Sequence, residues 1–333
     1  MNKVVAALLL TGAFASGSTT RAQSPGVPSE VQKHLDAARV AAGVEHAGLY
    51  ETLRADVLGL LNPAPRGGGP GPGAAAPPPA PGTWHAEPVK VFDNLYFVGM
   101  TEYSAWAITT SQGIILLDAI YDYSVQDEVE GGLKKLGLNP ADLKYVVVSH
   151  GHTDHAGGAK YLQEKYGAKV LMSAADYDLL DQQNPSWKPK RDLVITDGQR
   201  LTLGDTTLTF YLTPGHTLGT VSTIFPVRDG RDSHVVAAWG GTRFNFGPIR
   251  QRLDAYQTSA QRFRGVAAMA NADVILSNHT VYDGSKTKLP AMKARKPGEQ
   301  HPYVVGKDVV RRYLVVADES AQAALAGVTG VRP

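Results

Sequence analysis

Apolar residues follow two different rhythms along this 333-residue chain. Between residues 24 and 62 they recur at three- and four-residue spacing. Val31, Leu35, Ala38 and Ala42 form one stripe, and Leu49, Leu53, Val57 and Leu60 form a second after Gly43. That period lines one face of a helix. It predicts two helices in an N-terminal arm (23–62) packed on the main body, with Ser29 as N-cap after Pro28. From Trp84 onward the runs are shorter and β-branched. Val89 to Val98 reads as two strand pieces broken at Asp93-Asn94, and Tyr103 to Thr109 with Gly113 to Leu117 as a hairpin. Strands and helices then alternate. Tyr121–Leu136 is expected as helix, Tyr145–Ser149 as a buried strand, Ala156–Tyr166 as helix, Lys169–Ser173 as strand and Ala174–Gln182 as helix. Leu193 to Tyr211 reads as a strand meander, followed by strands at 221–225 and 235–239. A helix at 254–269, a strand at 273–276 and closing helices at 286–294 and 306–325 complete the pattern. The coarse echo between the halves suggests two sheets face to face with helices outside, an α/β fold.

Two segments interrupt this pattern. Of the twenty residues Pro63 to Gly82, nineteen are Pro, Gly or Ala, a composition with nothing to bury, so 63–83 is expected to be an extended linker. At the start, Lys3 precedes an apolar run from Val4 to Phe14, and Thr20 and Ala22 form a loose small-residue cleavage site. Residues 1–22 therefore read as a secretory signal peptide, too short to span a bilayer. The expected location is periplasmic or secreted, with no membrane attachment after signal removal.

Composition narrows the class. Apolar residues make up 43 % of the chain, enough for a large core, and the net charge of +2 is too small to favour a nucleic-acid partner. There is no cysteine, so stability must come from packing and metal rather than disulfides. A small-molecule substrate is the expected partner, and nothing in the sequence requires more than a monomer.

Histidine placement carries the chemistry. Three of the ten histidines and one aspartate fall within six residues, His150-Gly151-His152-Thr153-Asp154-His155, directly after the strand 145–149. Imidazoles and a carboxylate on a loop after a buried strand can converge on a metal such as zinc. Crowding them without one is unfavourable. His216 follows the strand ending near Leu212, in Pro214-Gly215-His216-Thr217, and His279 follows the strand ending at Leu276. Three histidine loops at strand ends can meet at one edge of the sandwich. His34, His46, His85, His234 and His301 have no such company and are read as surface or core residues.

The His150-x-His152-x-Asp154-His155 signature, with Pro214-Gly215-His216-Thr217 and the late His279, resembles the metallo-β-lactamase superfamily from about Trp84 to the C-terminus. The lead-in Gly113 to Leu117 ending in Asp118 is also similar. The resemblance implies an αββα sandwich (84–333), with the arm as an N-terminal helical extension. It implies two zinc ions per chain, one on His150, His152 and His216 and the other on Asp154, His155 and His279. Most hydrolases of the superfamily add a metal-bridging Asp after the PGHT loop. The equivalent stretch here, Val236 to Thr242, has no carboxylate, and there is no ligand Cys. An Asp-His-His second site of this kind is most like the subclass B3 metallo-β-lactamases, which are typically exported. The implied activity is opening of a β-lactam ring by a hydroxide generated at the zinc pair, with Asp154 also orienting that hydroxide and shuttling a proton. The alternative is an exported hydrolase of the same fold acting on lactones, esters or phosphoesters. Tyr103, Ser104 and Trp106, on a loop after an early strand, Gly241 and Thr242, and Arg243 as a bidentate partner for a substrate carboxylate are the expected substrate contacts.

Overall fold

A computed structural model describes residues 26–62 and 82–328. The expected signal peptide, and the expected linker apart from its last two positions, lie outside the described residues.

The two N-terminal stripes form helices α1 (Ser29–Ala42) and α2 (Ala47–Leu61), and all eight stripe residues are buried. Ser29 is not the cap. The helix begins on it, with Pro28 in the capping position and no side-chain cap bond. Two facing sheets follow. The first holds seven strands in sequence order, β1 (Val89–Phe92), β2 (Leu95–Phe97), β3 (Trp106–Thr110), β4 (Gly113–Leu117), β5 (Leu143–Val147), β6 (Lys169–Ser173) and β7 (Leu193–Ile195). β1 to β4 pair antiparallel, and β4 to β7 pair parallel. The second holds β8 (Arg200–Leu203), β9 (Thr206–Leu212), β10 (Val221–Asp229), β11 (Asp232–Trp239) and β12 (Val274–Ser277), in the order β12-β11-β10-β9-β8. Only β11 and β12 pair parallel in it.

The helix expected over 121–136 begins late, as a π-helical turn (Gln126–Glu130) running into α3 (Gly131–Lys135). The helix expected from Ala156 is split into α4 (Thr153–Ala156) and α5 (Ala159–Tyr166), so helix begins inside the histidine motif itself. The expected meander 193–211 is divided between sheets: β7 closes the first, while β8 and β9 open the second. α6 (Ala174–Gln183), α7 (Arg250–Met269), α8 (Ser285–Ala294) and α9 (Lys307–Val328) complete the chain.

One apolar core lies between the sheets, with Phe97, Trp106, Leu171, Phe210, Phe225 and Leu276. A second covers the outer face of the first sheet beneath α5 and α6. The third, on the outer face of the second sheet, contains residues of α1, α2, α7 and α9, among them Leu35, Leu53, Phe263 and Tyr313. The arm therefore shares a core with the sandwich. A sheet face without that cover would expose a large apolar surface.

Strand direction decides where chemistry gathers. β4 and β5 run parallel in one sheet. In the other, β9 and β11 flank the antiparallel β10, and β12 is parallel to β11. The C-terminal ends of β9, β11 and β12 therefore share one edge. The Val221 N–H donates to the Ser149 carbonyl at 2.8 Å, joining that edge to the end of β5. Next to it, Ser173 caps α6 by accepting from Asp176 N at 3.3 Å. Ser173→Ala is expected to lower stability by about 1 kcal/mol in a thermal or denaturant melt.

Candidate metal centre

Each histidine loop leaves a strand end and turns immediately inward. His150 follows Ser149, whose N–H and hydroxyl donate to Asp118 at 2.7 and 2.9 Å. Asp118, at the end of β4, has left-handed backbone (φ 58°), a conformation uncommon outside glycine and found where surroundings enforce it.

The first triad is tight. His216 Nε2 lies 3.1 Å from His150 Nε2 and 3.1 Å from His152 Nδ1. Nitrogens bound tetrahedrally at about 2.0–2.1 Å from one zinc ion would stand roughly 3.3 Å apart. Main-chain carbonyls fix two of these rings from behind: His150 Nδ1 donates to Gly240 O at 2.8 Å, and His216 Nδ1 to Arg243 O at 2.8 Å. These bonds select the tautomer that leaves Nε2 as a lone pair. Burial, reinforced by neighbouring imidazoles, pushes both rings well below the usual histidine pKa, so they stay neutral.

The second group centres on Asp154. His155 Nε2 stands 3.1 Å from Asp154 Oδ2, and His279 Nε2 stands 3.6 Å from the same oxygen. Donor atoms of Asp154 and His155 also fall within 4.8 Å of one on His150. However, His150 turns Nε2 to the first triad and Nδ1 to Gly240, so His279 is the imidazole left facing Asp154. His155 is fully buried between Asp154 and Asp118, whose Oδ2 is 3.1 Å from its Nδ1, yet neither ring nitrogen makes a well-directed hydrogen bond. Burial pulls its pKa down, but the two carboxylates overcome this and push it up to about 10. Burial alone would raise Asp154, but His155, His279 and His152 hold it well below the carboxylate range. Such an orphaned imidazole beside an ionised carboxylate is the environment a cation at Nε2 would satisfy. Both donor sets, three nitrogens and one oxygen with two nitrogens, suit zinc.

A buried carboxylate holds the loops together. Asp176 accepts from Gly151 N at 2.8 Å, Thr217 Oγ1 at 2.8 Å and Gly219 N at 3.1 Å. Arg252 on α7 donates Nε to Gly215 O at 3.0 Å and Nη2 to His216 O. Asn278 Nδ2 donates to Gly240 O at 2.8 Å. None of these residues stands out in the sequence, because each partner lies many residues away.

The expected substrate contacts divide. Tyr103 is at the centre: its ring lies 5.0 Å from His279 and 6.4 Å from His155, and it forms an isolated β-bridge with His279. Tyr121 and Trp84, at 5.1 and 5.4 Å from it, extend this aromatic wall. Trp106 is not on a loop. It opens β3 and is 3 % exposed in the inter-sheet core, with Nε1 donating to Ser277 O. Ser104 and Thr242 are buried. Gly241 sits behind His216, where a Cβ would come 2.8 Å from His216 Cβ, so it lets the imidazole seat rather than touching substrate. Arg243 already spends its bidentate edge on Asp56 of α2, through Nη2 at 2.5 Å and Nε at 3.2 Å. Each of the five other histidines has a local partner: Glu319 for His34, Val309 O for His46, Glu128 and Glu87 for His85, Asp273 for His234 and Val91 O for His301.

The two facing sheets, the outer helices and the histidine edge are those of the metallo-β-lactamase fold, a scaffold of hydrolytic metalloenzymes. The family description "Metallo-beta-lactamase superfamily" matches residues 98–229. Solved structures similar to this one include a subclass B3 metallo-β-lactamase of Bradyrhizobium japonicum, at 28 % identity and TM-score 0.63, covering 74 % of this chain and 97 % of that one. A metallo-β-lactamase of Cronobacter sakazakii is similar at 27 % identity and TM-score 0.63, covering 74 % and 96 %. Among curated relatives, the hydroxyacylglutathione hydrolase of Acidiphilium cryptum is 33 % identical over 137 residues, 41 % of this chain and 50 % of that protein. The chain thus spans about half the length of that relative. The resemblance read from the histidine motif holds, with subclass B3 enzymes among the structural neighbours.

Proposed function

We propose that the protein is an exported zinc hydrolase that opens the amide ring of β-lactams, with two zinc ions per chain. The observation that carries this reading is the make-up of the second donor set. Asp154, His155 and His279 converge, while the end of β11 brings Gly240 and Gly241 to the centre rather than a carboxylate.

Bound zinc would supply Lewis acidity and a water whose pKa falls to about 7. The chain's own groups do the rest. Asp154, 19 % exposed, is the donor-set carboxylate that solvent reaches; it can orient the attacking water by accepting its hydrogen bond and relay a proton toward a leaving nitrogen. Asp118 lies behind His155, its Oδ2 3.1 Å from Nδ1. Neutral His150 and His216 offer lone pairs without competing protons. The wall of Tyr103, Tyr121 and Trp84, with Leu218 two residues past His216 at 66 % exposure, presents apolar surface to a small substrate and limits water around the reacting carbonyl.

Thioester hydrolysis is the second reading, favoured by the relative from Acidiphilium cryptum. Lactones, other esters and phosphoesters remain on the same scaffold. The test is absorbance-monitored hydrolysis of a carbapenem and a cephalosporin by the zinc-loaded mature protein, beside S-lactoylglutathione and a lactone. Fast ring opening that a chelator stops is the expected result. Chelator-sensitive turnover of the thioester or lactone alone would replace the β-lactam reading and leave the metal reading standing.

A further inference from the structure

Helix α2 reaches the loop that carries His279 and the loop after β11 whose carbonyl holds His216. At Gly48 a Cβ would lie 2.4 Å from Val281 O, so the helix seats directly on the backbone two residues past His279. Two turns further on, the Asp56 carboxylate, 6 % exposed, accepts from Arg243 Nη2 and Nε and from Phe244 N at 3.0 Å. Phe244 N–H and Arg243 C=O belong to one peptide unit. That same carbonyl accepts from His216 Nδ1 at 2.8 Å. One peptide plane is thus held on its N–H side by a carboxylate and on its C=O side by an imidazole.

We propose that Asp56 is a positioning residue of the metal centre, acting on His216 through the Arg243–Phe244 peptide. A charged acceptor on the N–H polarises the amide and strengthens its carbonyl as an acceptor. The carbonyl then holds His216 in the Nδ1–H tautomer, with Nε2 aimed at His150 and His152. This arrangement is a carboxylate–histidine pairing, the device that orients metal-binding imidazoles, with a peptide bond inserted between the two groups. The Arg243 guanidinium holds the carboxylate in place. The helical arm is by this reading part of the site, and the inference rests on the metal reading of the histidine triad.

The test compares Asp56→Ala and Asp56→Asn with Glu45→Gln in the full mature chain. Glu45→Gln weakens a different arm contact, the pair with Arg312 at 2.9 Å, and leaves the peptide untouched. Zinc affinity is read by competition with a chromophoric chelator. The His216 tautomer is read in the metal-free protein by long-range proton–nitrogen spectra. Asp56→Ala should weaken zinc binding by about 10- to 100-fold and mix the His216 tautomers. Asp56→Asn, which keeps the shape and one acceptor, should lie between it and wild type. Glu45→Gln should match wild type in both readouts. If Asp56→Ala does not fold, the Asn variant decides. Unchanged affinity and tautomer in the Asp56 variants would overturn the proposal, as would an equal loss in Glu45→Gln, which would mark general loosening of the arm. Wild-type protein that binds no zinc would instead remove the metal reading beneath it.

Discussion

Replacing His150 with Ala is expected to abolish hydrolysis and to lower bound zinc from about two ions per chain to less than one. His150 is the member of the first triad nearest the second donor set, with one of its donor atoms within 4.8 Å of donors on Asp154 and His155. Its Nε2 sits 3.1 Å from His216 Nε2, inside the first triad, and its ring lies 4.3 Å from that of His155 in the second. Removing it leaves two imidazoles where three are needed and opens the wall between the two donor sets. Loss of a partner outside the ligand set already lowers metal affinity roughly 10- to 100-fold, so a lost ligand should reduce turnover by at least ~10³-fold. The fold should survive. Gly240 O, the acceptor for His150 Nδ1, keeps its bond from Asn278 Nδ2 at 2.8 Å, so no main-chain group is orphaned. His279→Ala provides the contrast, because the first triad stays whole and about one zinc per chain should remain. Metal analysis by mass spectrometry and single-substrate kinetics check both. A His150→Ala protein that still binds two zinc ions, or still turns over, would show that the donor sets have been misassigned.

The centre was legible in the sequence where its signal was local. His150, His152, Asp154 and His155 are consecutive enough to declare themselves, and His216 and His279 follow runs whose strand character is plain. Tyr103 was singled out on a loop after an early strand, and the edge of the sandwich brings its ring 5.0 Å from that of His279. Trp106, two residues on alternation from Ser104, was misjudged because an aromatic beside a loop looks the same in sequence whether it faces solvent or core. Its burial follows from the register of β3 against β4, where Trp106 opposes Leu117. Arg243 was misjudged for a different reason. A basic residue near a site invites a substrate anion, and only the packing of α2 brings in Asp56, 187 positions earlier in the chain. The segment 193–211 was read as one meander, whereas the structure divides it between the two sheets, because alternation marks a strand and says nothing about its neighbours. Asp176 illustrates the limit most plainly. It sits in the first turn of a helix, where acidic residues are common, and its hydrogen-bond partners lie 25, 41 and 43 residues away.

Asp176→Ala is expected to destabilise the protein by about 3–5 kcal/mol, and the size follows from what is left behind. Three donors converge on the carboxylate, but Thr217 Oγ1 has a second partner in Thr220 Oγ1 at 2.8 Å. The Gly151 and Gly219 N–H groups do not have one, and both are in buried backbone. An orphaned buried donor costs about 1–3 kcal/mol, and loss of the side chain's own packing adds to the two of them. For a chain of this size the melting temperature should fall by roughly 6–20 °C. The metal-free protein alone cannot separate a scaffold role from a role in the site, but the zinc-loaded protein can. Gly151 lies between His150 and His152, and Thr217 adjoins His216, so Asp176 sets the distance between loops that the first triad must bridge. If it does, the variant binds zinc more weakly, and by linkage its loss of stability is larger at saturating zinc than without metal. Equal losses under the two conditions would mean that Asp176 serves the fold and leaves the ligand geometry to the loops themselves.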